Sequence, residues 1–278
     1  MRIFIITMDD PVQTLPFMKE IIANRHKDIV GIATSKGDRL TIGKKRSPLV
    51  YLFSLMLIMG PIAFLKHSFV TVSFKLQKKL SKFFPFIKSP SILTFAEKYN
   101  ILTFDIQTPN SKKFREELSK LKPDVIINQS QSIIKKELLE IPTIGVINRH
   151  NALLPKNRGR LTPFWVALRR EPETGVSIHF VTEGIDAGAI IVQEKFPVAK
   201  NDTFNSLVKK NYVVAPKAML KALDILEKAI TSSSLTTTIR LPTIPFLLLM
   251  KPGNIEKIVC FKFYLIATIE NRDNVHFF

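Results

Sequence analysis

The sequence predicts an α/β protein built on a parallel-rich sheet. Short apolar, β-branched runs recur along the chain: RIFIIT at 2–7, DIVGIAT at 28–34, DVIIN at 124–128 and IGVIN at 144–148. Stretches with helical apolar periodicity lie between them. The chain opens strand, helix, strand, the order that a crossover between parallel strands requires. Its 278 residues, 46% hydrophobic and 23% charged, suffice for a folded core in one large domain or a main domain with a small appendage.

The elements follow in order. After the 2–7 strand, Asp9, Asp10 and Pro11 make a turn and start a helix over 12–25. The 28–34 strand follows, and then the rhythm breaks over 36–90. Residues 36–47 are polar and basic, and 49–65 (LVYLFSLMLIMGPIAFL) carry no charge. That run is at the lower length limit for a bilayer span, and Gly60 and Pro61 interrupt it. From 91 the alternation resumes with a helix over 91–99, with Ser91 as its cap, and a strand over 101–106. An amphipathic helix over 110–121 has Phe114, Leu118 and Leu121 on one side. Strand 124–128, a helical turn at 133–140 and strand 144–148 come next. Residues 174–181 and 189–198 read as two more strands around a turn. Asp202 or Thr203 then caps a long helix to about residue 230. TSSSLTTT at 231–238 reads as a linker, followed by a charge-poor apolar patch, LPTIPFLLLMKPG, at 241–253.

Lys and Arg exceed Asp and Glu by 18. Residues 36–90 hold eleven Lys or Arg and one Asp, more than half of that surplus. The balance suits a polyanionic partner: RNA, an acidic membrane surface or a phosphorylated substrate. The competing reading is lysines that merely solvate the surface. The single cysteine, Cys260, supports neither a disulfide framework nor a Cys-based metal cluster, reads as a small buried hydrophobe, and fits a reducing compartment. Five histidines lack metal-ligand spacing such as H-E-x-x-H, so no metal is expected. The opening MRIFIITMDD is too short for a secretory signal and turns acidic, which points to the cytoplasm. There is no internal repeat, no G-x-x-x-x-G-K-[ST] and no G-x-G-x-x-G, so phosphate-loop chemistry is not indicated.

The chemistry concentrates in 144–193. A strand ends in Asn148 and His150, two apart and so on one side. Open α/β sheets put ligand crevices at the C-terminal ends of such strands. Glu183-Gly184-Ile185-Asp186-Ala187-Gly188 supplies a carboxylate between two glycines, which allow close backbone approach and positive φ. Asn, His and Asp together suit acyl transfer to an amine without a covalent intermediate. The Asn148 amide and a protonated His150 would donate to the oxyanion, and Asp186 would take the amine proton, directly or through a water, and hold the imidazolium. Each residue alone also has a plain reading: a turn residue, a core histidine, a turn carboxylate. His179, internal to a strand, is expected to be structural, and Phe164 and Trp165 to pack.

In order and at suitable spacing stand I-N-x-H (147–150), L-L-P (153–155), R-G (158–159), G-V-S-I-H (175–179) and I-D-x-G (185–188). With these motifs the chain resembles the 10-formyltetrahydrofolate-dependent formyltransferases, the family of the glycinamide ribonucleotide, methionyl-tRNA and sugar-nucleotide N-formyltransferases. The likeness covers roughly 1–200 apart from 36–90. It implies a Rossmann-like formyltransferase domain without a dinucleotide site, with 10-formyltetrahydrofolate as formyl donor. By resemblance, Asn148, His150 and Asp186 fall on the catalytic triad. Ile133, Ile134, Leu154, Pro155, Val181, Thr182 and Ile185 fall on segments lining the folate pocket, and Arg158 on the L-L-P-x-x-R-G loop, where it could steady an anionic substrate or form a surface salt bridge. The chain departs in having Gln131-Ser132 where many relatives carry Gly-Gln, and Ala152 where serine is usual. Pro163, Phe164 and Trp165 look more like the sugar-type enzymes.

The expected organisation is a catalytic domain over 1–205, with 36–90 as a basic, apolar helical insertion. Residues 206–278 form a C-terminal helix and short extension, too short for the full β-barrel domain of the tRNA enzymes. The expected acceptor is a primary amine on an amino sugar, linked to a nucleotide or a lipid; the alternatives are methionyl-tRNA and a catalytically silent binding protein. Segments 49–65 and 241–250 suit peripheral contact with an anionic membrane on its inner face. Packing on the domain itself, a homo-oligomer contact and RNA contact are the other readings.

Overall fold

A computed structural model describes residues 1–36, 41–42 and 45–236. Met1–Leu226 form one compact unit and Glu227–Phe278 a second, the latter described only as far as Thr236. The first unit is organised by a seven-stranded sheet of β1 (Ile3–Thr7), β2 (Ile29–Ser35), β5 (Thr103–Ile106), β6 (Val125–Gln129), β7 (Gly145–His150), β8 (Glu173–Phe180) and β9 (Ile190–Pro197), in the order β5-β2-β1-β6-β7-β8-β9. The first five positions pair in parallel; β8 and β9 are antiparallel. β1 and β6 are buried along their whole length, which is why they read as unbroken apolar runs. The chain leaves β1 towards β2 and β5 and returns to β6 on the other side. The C-terminal ends of β1 and β6 therefore flank a topological switch point.

One face of the sheet packs Phe4, Ile6, Ile126 and Val146 against Phe114 and Leu118 of α5 (Lys112–Lys120), with Ile134 and Leu138. Leu138 belongs to the short α6 (Lys136–Leu139). α1 (Leu15–Arg25) buries Phe17, Met18, Ile21 and Ile22. α8 (Phe204–Thr236) buries Leu207, Met219, Leu223 and Leu226, and an Arg25–Asp224 ion pair at 2.9 Å joins it to α1. Helix α1 starts later than the expected residue 12. Asp10 Oδ1 accepts hydrogen bonds from Val12 N and Gln13 N, which holds the preceding turn out of the helix. The expected linker at 231–238 is corrected. α8 continues through Thr236: the segment holds no Gly or Pro to stop it, and the Thr231 hydroxyl is occupied within the helix, donating back to Glu227 O at 3.0 Å. The apolar patch at 241–253 and Cys260 lie outside the described residues.

The insertion opens with a small antiparallel pair, β3 (Thr41–Ile42) and β4 (Lys45–Arg46). α2 (Pro48–Met59) and α3 (Pro61–Leu80) follow, and the expected break falls at Gly60, whose φ of 80° and ψ of 155° separate the two helices. Asp9, just beyond β1, anchors the base of α3. Its Oδ2 takes Lys78 Nζ at 2.5 Å and Ser91 Oγ at 2.7 Å, and its Oδ1 takes Ile92 N at 3.0 Å at the start of α4 (Ile92–Glu97). Asn205 Nδ2 of α8 donates to Met59 O at 2.7 Å, holding the end of α2. Among the described residues, no helix is long and apolar enough to cross a membrane.

Candidate active site

The C-terminal end of β7 brings two of the three candidate residues to the sheet edge. Asn148 lies beside Asn128 of β6 and opposite His179 of β8, and His150 lies opposite Ser177. Gln129 Nε2 donates to Asn148 Oδ1 at 2.6 Å. This fixes the amide so that its Nδ2 donor is turned away from that bond.

His150 is buried and held at both nitrogens. Its Nε2 lies 2.8 Å from Asn157 O, and a carbonyl only accepts, so Nε2 carries the proton. Asn157 is fixed by bonds from its amide nitrogen to both Glu171 oxygens at 3.0 Å and by Arg169 Nη1 at 2.7 Å. Nδ1 of His150 faces Asp186 Oδ2 at 3.4 Å. That same oxygen accepts from Gly159 N at 2.8 Å.

Asp186 arrives from the loop between β8 and β9. The positive φ expected of a glycine there falls on Asp186 itself, at 47°, a region that Asp tolerates better than most residues. The flanking Gly188 serves close approach instead: a Cβ on it would lie 2.0 Å from Phe180 O. The loop therefore returns tightly onto the end of β8, and Asp186 Oδ1 lies 3.6 Å from His179 Nε2.

The reading of His179 as only a strand-internal residue missed this contact. His179 Nδ1 donates to Phe180 O at 2.8 Å, so Nε2 is the acceptor nitrogen; it is buried without a hydrogen bond. Burial pushes the His179 pKa below its ordinary value of 6.5, and the His150 charge pushes the same way. The Phe180 carbonyl and Asp186 oppose the shift. Asp186 thus sits between two imidazoles whose rings are 6.2 Å apart and near perpendicular at 81°. Each ring donates one N–H to a backbone carbonyl and turns its other nitrogen towards the carboxylate.

The segment around this constellation matches a known family over more than half the chain: the model of the formyl transferases covers residues 79–223. The chain belongs to the formyl transferase family. Among formyl transferase relatives it is 36% identical over 169 residues to a methionyl-tRNA formyltransferase of Prochlorococcus marinus (strain MIT 9215), covering 59% of this chain and 50% of that one. It is 35% identical over 147 residues to the bifunctional polymyxin resistance protein ArnA of Wigglesworthia glossinidia brevipalpis, covering 52% of this chain and 22% of that one. The chain thus spans half or less of the length of these relatives. A solved phosphoribosylglycinamide formyltransferase from Bacillus halodurans shares the fold, with a TM-score of 0.53 at 18% identity over 82% of this chain and 97% of that one.

The other predicted residues of this formyl transferase domain take different positions. Leu154 is buried, and its backbone is held by Ser177 Oγ at 3.0 Å and Gln193 Nε2 at 2.9 Å. Pro155 beside it is exposed, as is Arg158, which forms no ion pair among the described residues. Val181 and Thr182 are half-buried at the end of β8. Ile133 and Ile185 stand in solvent, 77% and 70% exposed, whereas Ile134 is packed inside the sheet-face core. Of α7 (Thr162–Leu168), Pro163 is buried, while Trp165 is 39% exposed and stacks edge-on with Phe164.

Sequence reading did not single out Gln129 and Asn157 either. The signal for His179 is its strand register, since an antiparallel partner of Asn148 shares its face. Arg149 points to the other face. Its guanidinium lies 4.3 Å from the Phe17 ring centroid and 6.0 Å from that of Tyr212, and burial lowers its pKa to about 10. A cavity of about 650 Å³ lined by Phe17, Tyr212 and Lys217 also contains none of the candidate residues.

Proposed function

We propose that this chain moves a formyl group from 10-formyltetrahydrofolate to a primary amine, with Asn148, His150 and Asp186 as its catalytic residues. The observation that carries the reading is Asp186 in contact with both His150 and His179, with Asn148, the strand partner of His179, presenting an amide whose acceptor is already taken. 10-Formyltetrahydrofolate, when bound, supplies an electrophilic formyl carbonyl. Ile133 and Ile185 are exposed and Val181 and Thr182 half-buried, as side chains left to receive a flat heteroaromatic ring would be, and Leu154 and Pro155 lie in the loop that follows His150.

Asn148 Nδ2–H is the donor left to stabilise charge growing on the carbonyl oxygen. His150 joins it when its Nε2–H leaves the Asn157 carbonyl. Asp186 accepts the proton that the amine nitrogen loses as the new C–N bond forms, directly or through a water, and holds the His150 imidazolium. As the oxyanion collapses, the bond between the formyl carbon and the folate nitrogen breaks, and that nitrogen takes the proton held at Asp186, so tetrahydrofolate leaves.

The acceptor we propose is an amino sugar, linked to a nucleotide or a lipid, on the likeness of the Pro163-Phe164-Trp165 segment to sugar-type enzymes. Methionyl-tRNA is the second reading, favoured by the similarity to several methionyl-tRNA formyltransferases and by the +18 charge. In domain terms we assign catalysis to 1–205, with 36–90 inserted, and treat 206–278 as an accessory helix and extension. The test is incubation of the full chain with 10-formyltetrahydrofolate and a panel of amino sugars, sugar nucleotides and methionyl-tRNA, following tetrahydrofolate release. Release with one acceptor class, lost in Asp186→Asn, is expected. Release with none of them, or unchanged release in Asp186→Asn, overturns the assignment.

A further inference from the structure

Helix α3 presents a row of apolar side chains to solvent. Ile62, Leu65, Phe69, Val72 and Leu76 are 72%, 66%, 73%, 63% and 54% exposed. Their spacing of three, four, three and four residues puts them on one stripe about 21 Å long, at about 1.5 Å per residue. The opposite side of α3 buries Phe74 and is tied down through Lys78 to Asp9, so the stripe is the outward face of an anchored helix. α2 adds Leu49, Phe53 and Leu57, all exposed. Beyond α3, Phe83 and Phe86 are exposed as well. Contiguous apolar exposure on this scale marks an interaction surface.

The charge pattern selects the occupant. No Asp or Glu occurs between Asp38 and Glu97. On a regular helix Lys66 and Lys75 fall roughly 90° to either side of the stripe's centre. Lys79 follows Leu76 along the stripe, and Lys82 lies just past the helix; all four lysines are exposed. A second copy of this chain packed on the same stripe would set lysines against lysines with no carboxylate between them. An anionic bilayer surface answers both features. Acyl chains receive the stripe while flanking lysines reach up to the headgroups.

We infer that the α2–α3 hairpin docks this protein onto anionic lipid bilayers, with the stripe from Ile62 to Leu76 lying in the interface plane. The inference does not depend on the formyl-transfer reading. The hairpin lies flat rather than spanning, in keeping with the break at Gly60.

Co-sedimentation of the full chain tests it, using phosphatidylcholine vesicles with and without about one-third phosphatidylglycerol. Binding to the anionic vesicles at low salt, lost on pure phosphatidylcholine and reduced at high salt, is expected. Leu65→Ser/Phe69→Ser/Val72→Ser should abolish it. Lys66→Gln/Lys75→Gln/Lys79→Gln should weaken it about 100-fold. The far-UV melts of both variants should match that of the parent, because the side chains replaced are exposed. Absence of binding at low salt overturns the inference. So does parental binding by the serine variant, which would assign the contact to another segment. Light scattering showing a dimer that the serine variant dissolves would make the stripe a self-association seam, again against the inference.

Discussion

The loops at the ends of β7 and β8 and the α2–α3 hairpin solve opposite problems. In the first, polar side chains are buried or half-buried and the three candidate residues each have a partner: Asn148 has Gln129, His150 has Asn157, Asp186 has Gly159. In the second, apolar side chains are exposed and lysines stand without carboxylates in their own segment. A region that does chemistry has to fix its donors and acceptors before the reactants arrive, so its stability is spent on geometry. A region that meets a surface leaves its binding energy unsatisfied until the surface is there. The difference predicts where substitutions matter. In the loops they should change rates more than melting temperature, and on the hairpin's outer face they should change neither.

The largest effect expected is on the rate. Asp186→Asn keeps the shape and the acceptor for Gly159 N but removes the base, and should lower formyl transfer about 10³-fold. Asn148→Ala removes the donor and should cost about 10² to 10³ in kcat. Thermal melts of both should stay near that of the parent. Steady-state tetrahydrofolate release read beside those melts checks the pair; a rate loss that merely tracks unfolding would dissolve the contrast between the two regions.

Next comes the attachment of the hairpin to the end of β1. Asp9→Ala removes the acceptor for Lys78 Nζ, Ser91 Oγ and Ile92 N in one step. Leaving a buried N–H and a cation unpartnered should cost about 2–3 kcal/mol, measured by urea unfolding. Asp9 lies outside the Asp186 constellation, so at temperatures where the fold is intact the rate should hold.

A smaller effect follows from His179. Its pKa is lowered in the fold, mainly by burial, so below the ordinary value of 6.5 the unfolded chain binds the proton more readily than the folded one. The stabilisation is complete above about pH 6.5 and is lost as pH falls through the lowered folded value. Melting temperature should therefore drop on acidification from pH 7 to pH 5, and His179→Gln should flatten that slope. An equal slope in the variant would place the titration elsewhere.

Much of this was legible in the chain. IFIIT at 3–7 and VIINQ at 125–129 are buried on both faces and so carry the signature of central parallel strands, and the five ordered motifs located the loops that converge on Asp186. What escaped depends on pairing. His179 reaches Asp186 because β8 runs antiparallel to β7 and because its register against β9 shifts between Ile178 and His179, which one-dimensional spacing does not encode. Arg149 escaped because a cation between Asn148 and His150 reads as a surface residue, yet the strand alternation drives it under Phe17 and Tyr212. The extension of α8 to Thr236 escaped because Ser and Thr have weak helix propensity, although the segment holds neither Gly nor Pro to end a helix already running from Phe204.

The smallest effect sharpens the contrast most. Phe69 is a large aromatic residue, and in a core its replacement by serine would cost several kcal/mol. Here it is 73% exposed, so little apolar area leaves or enters water when the ring goes. Phe69→Ser should shift stability by no more than about 0.5 kcal/mol in urea unfolding. The formyl-transfer rate with a soluble acceptor should be unchanged, because Phe69 makes no part of the Asp186 network. A loss above about 2 kcal/mol would mean the ring packs against protein in solution. In that case the hairpin's outer face is part of the core and the division between the two regions fails.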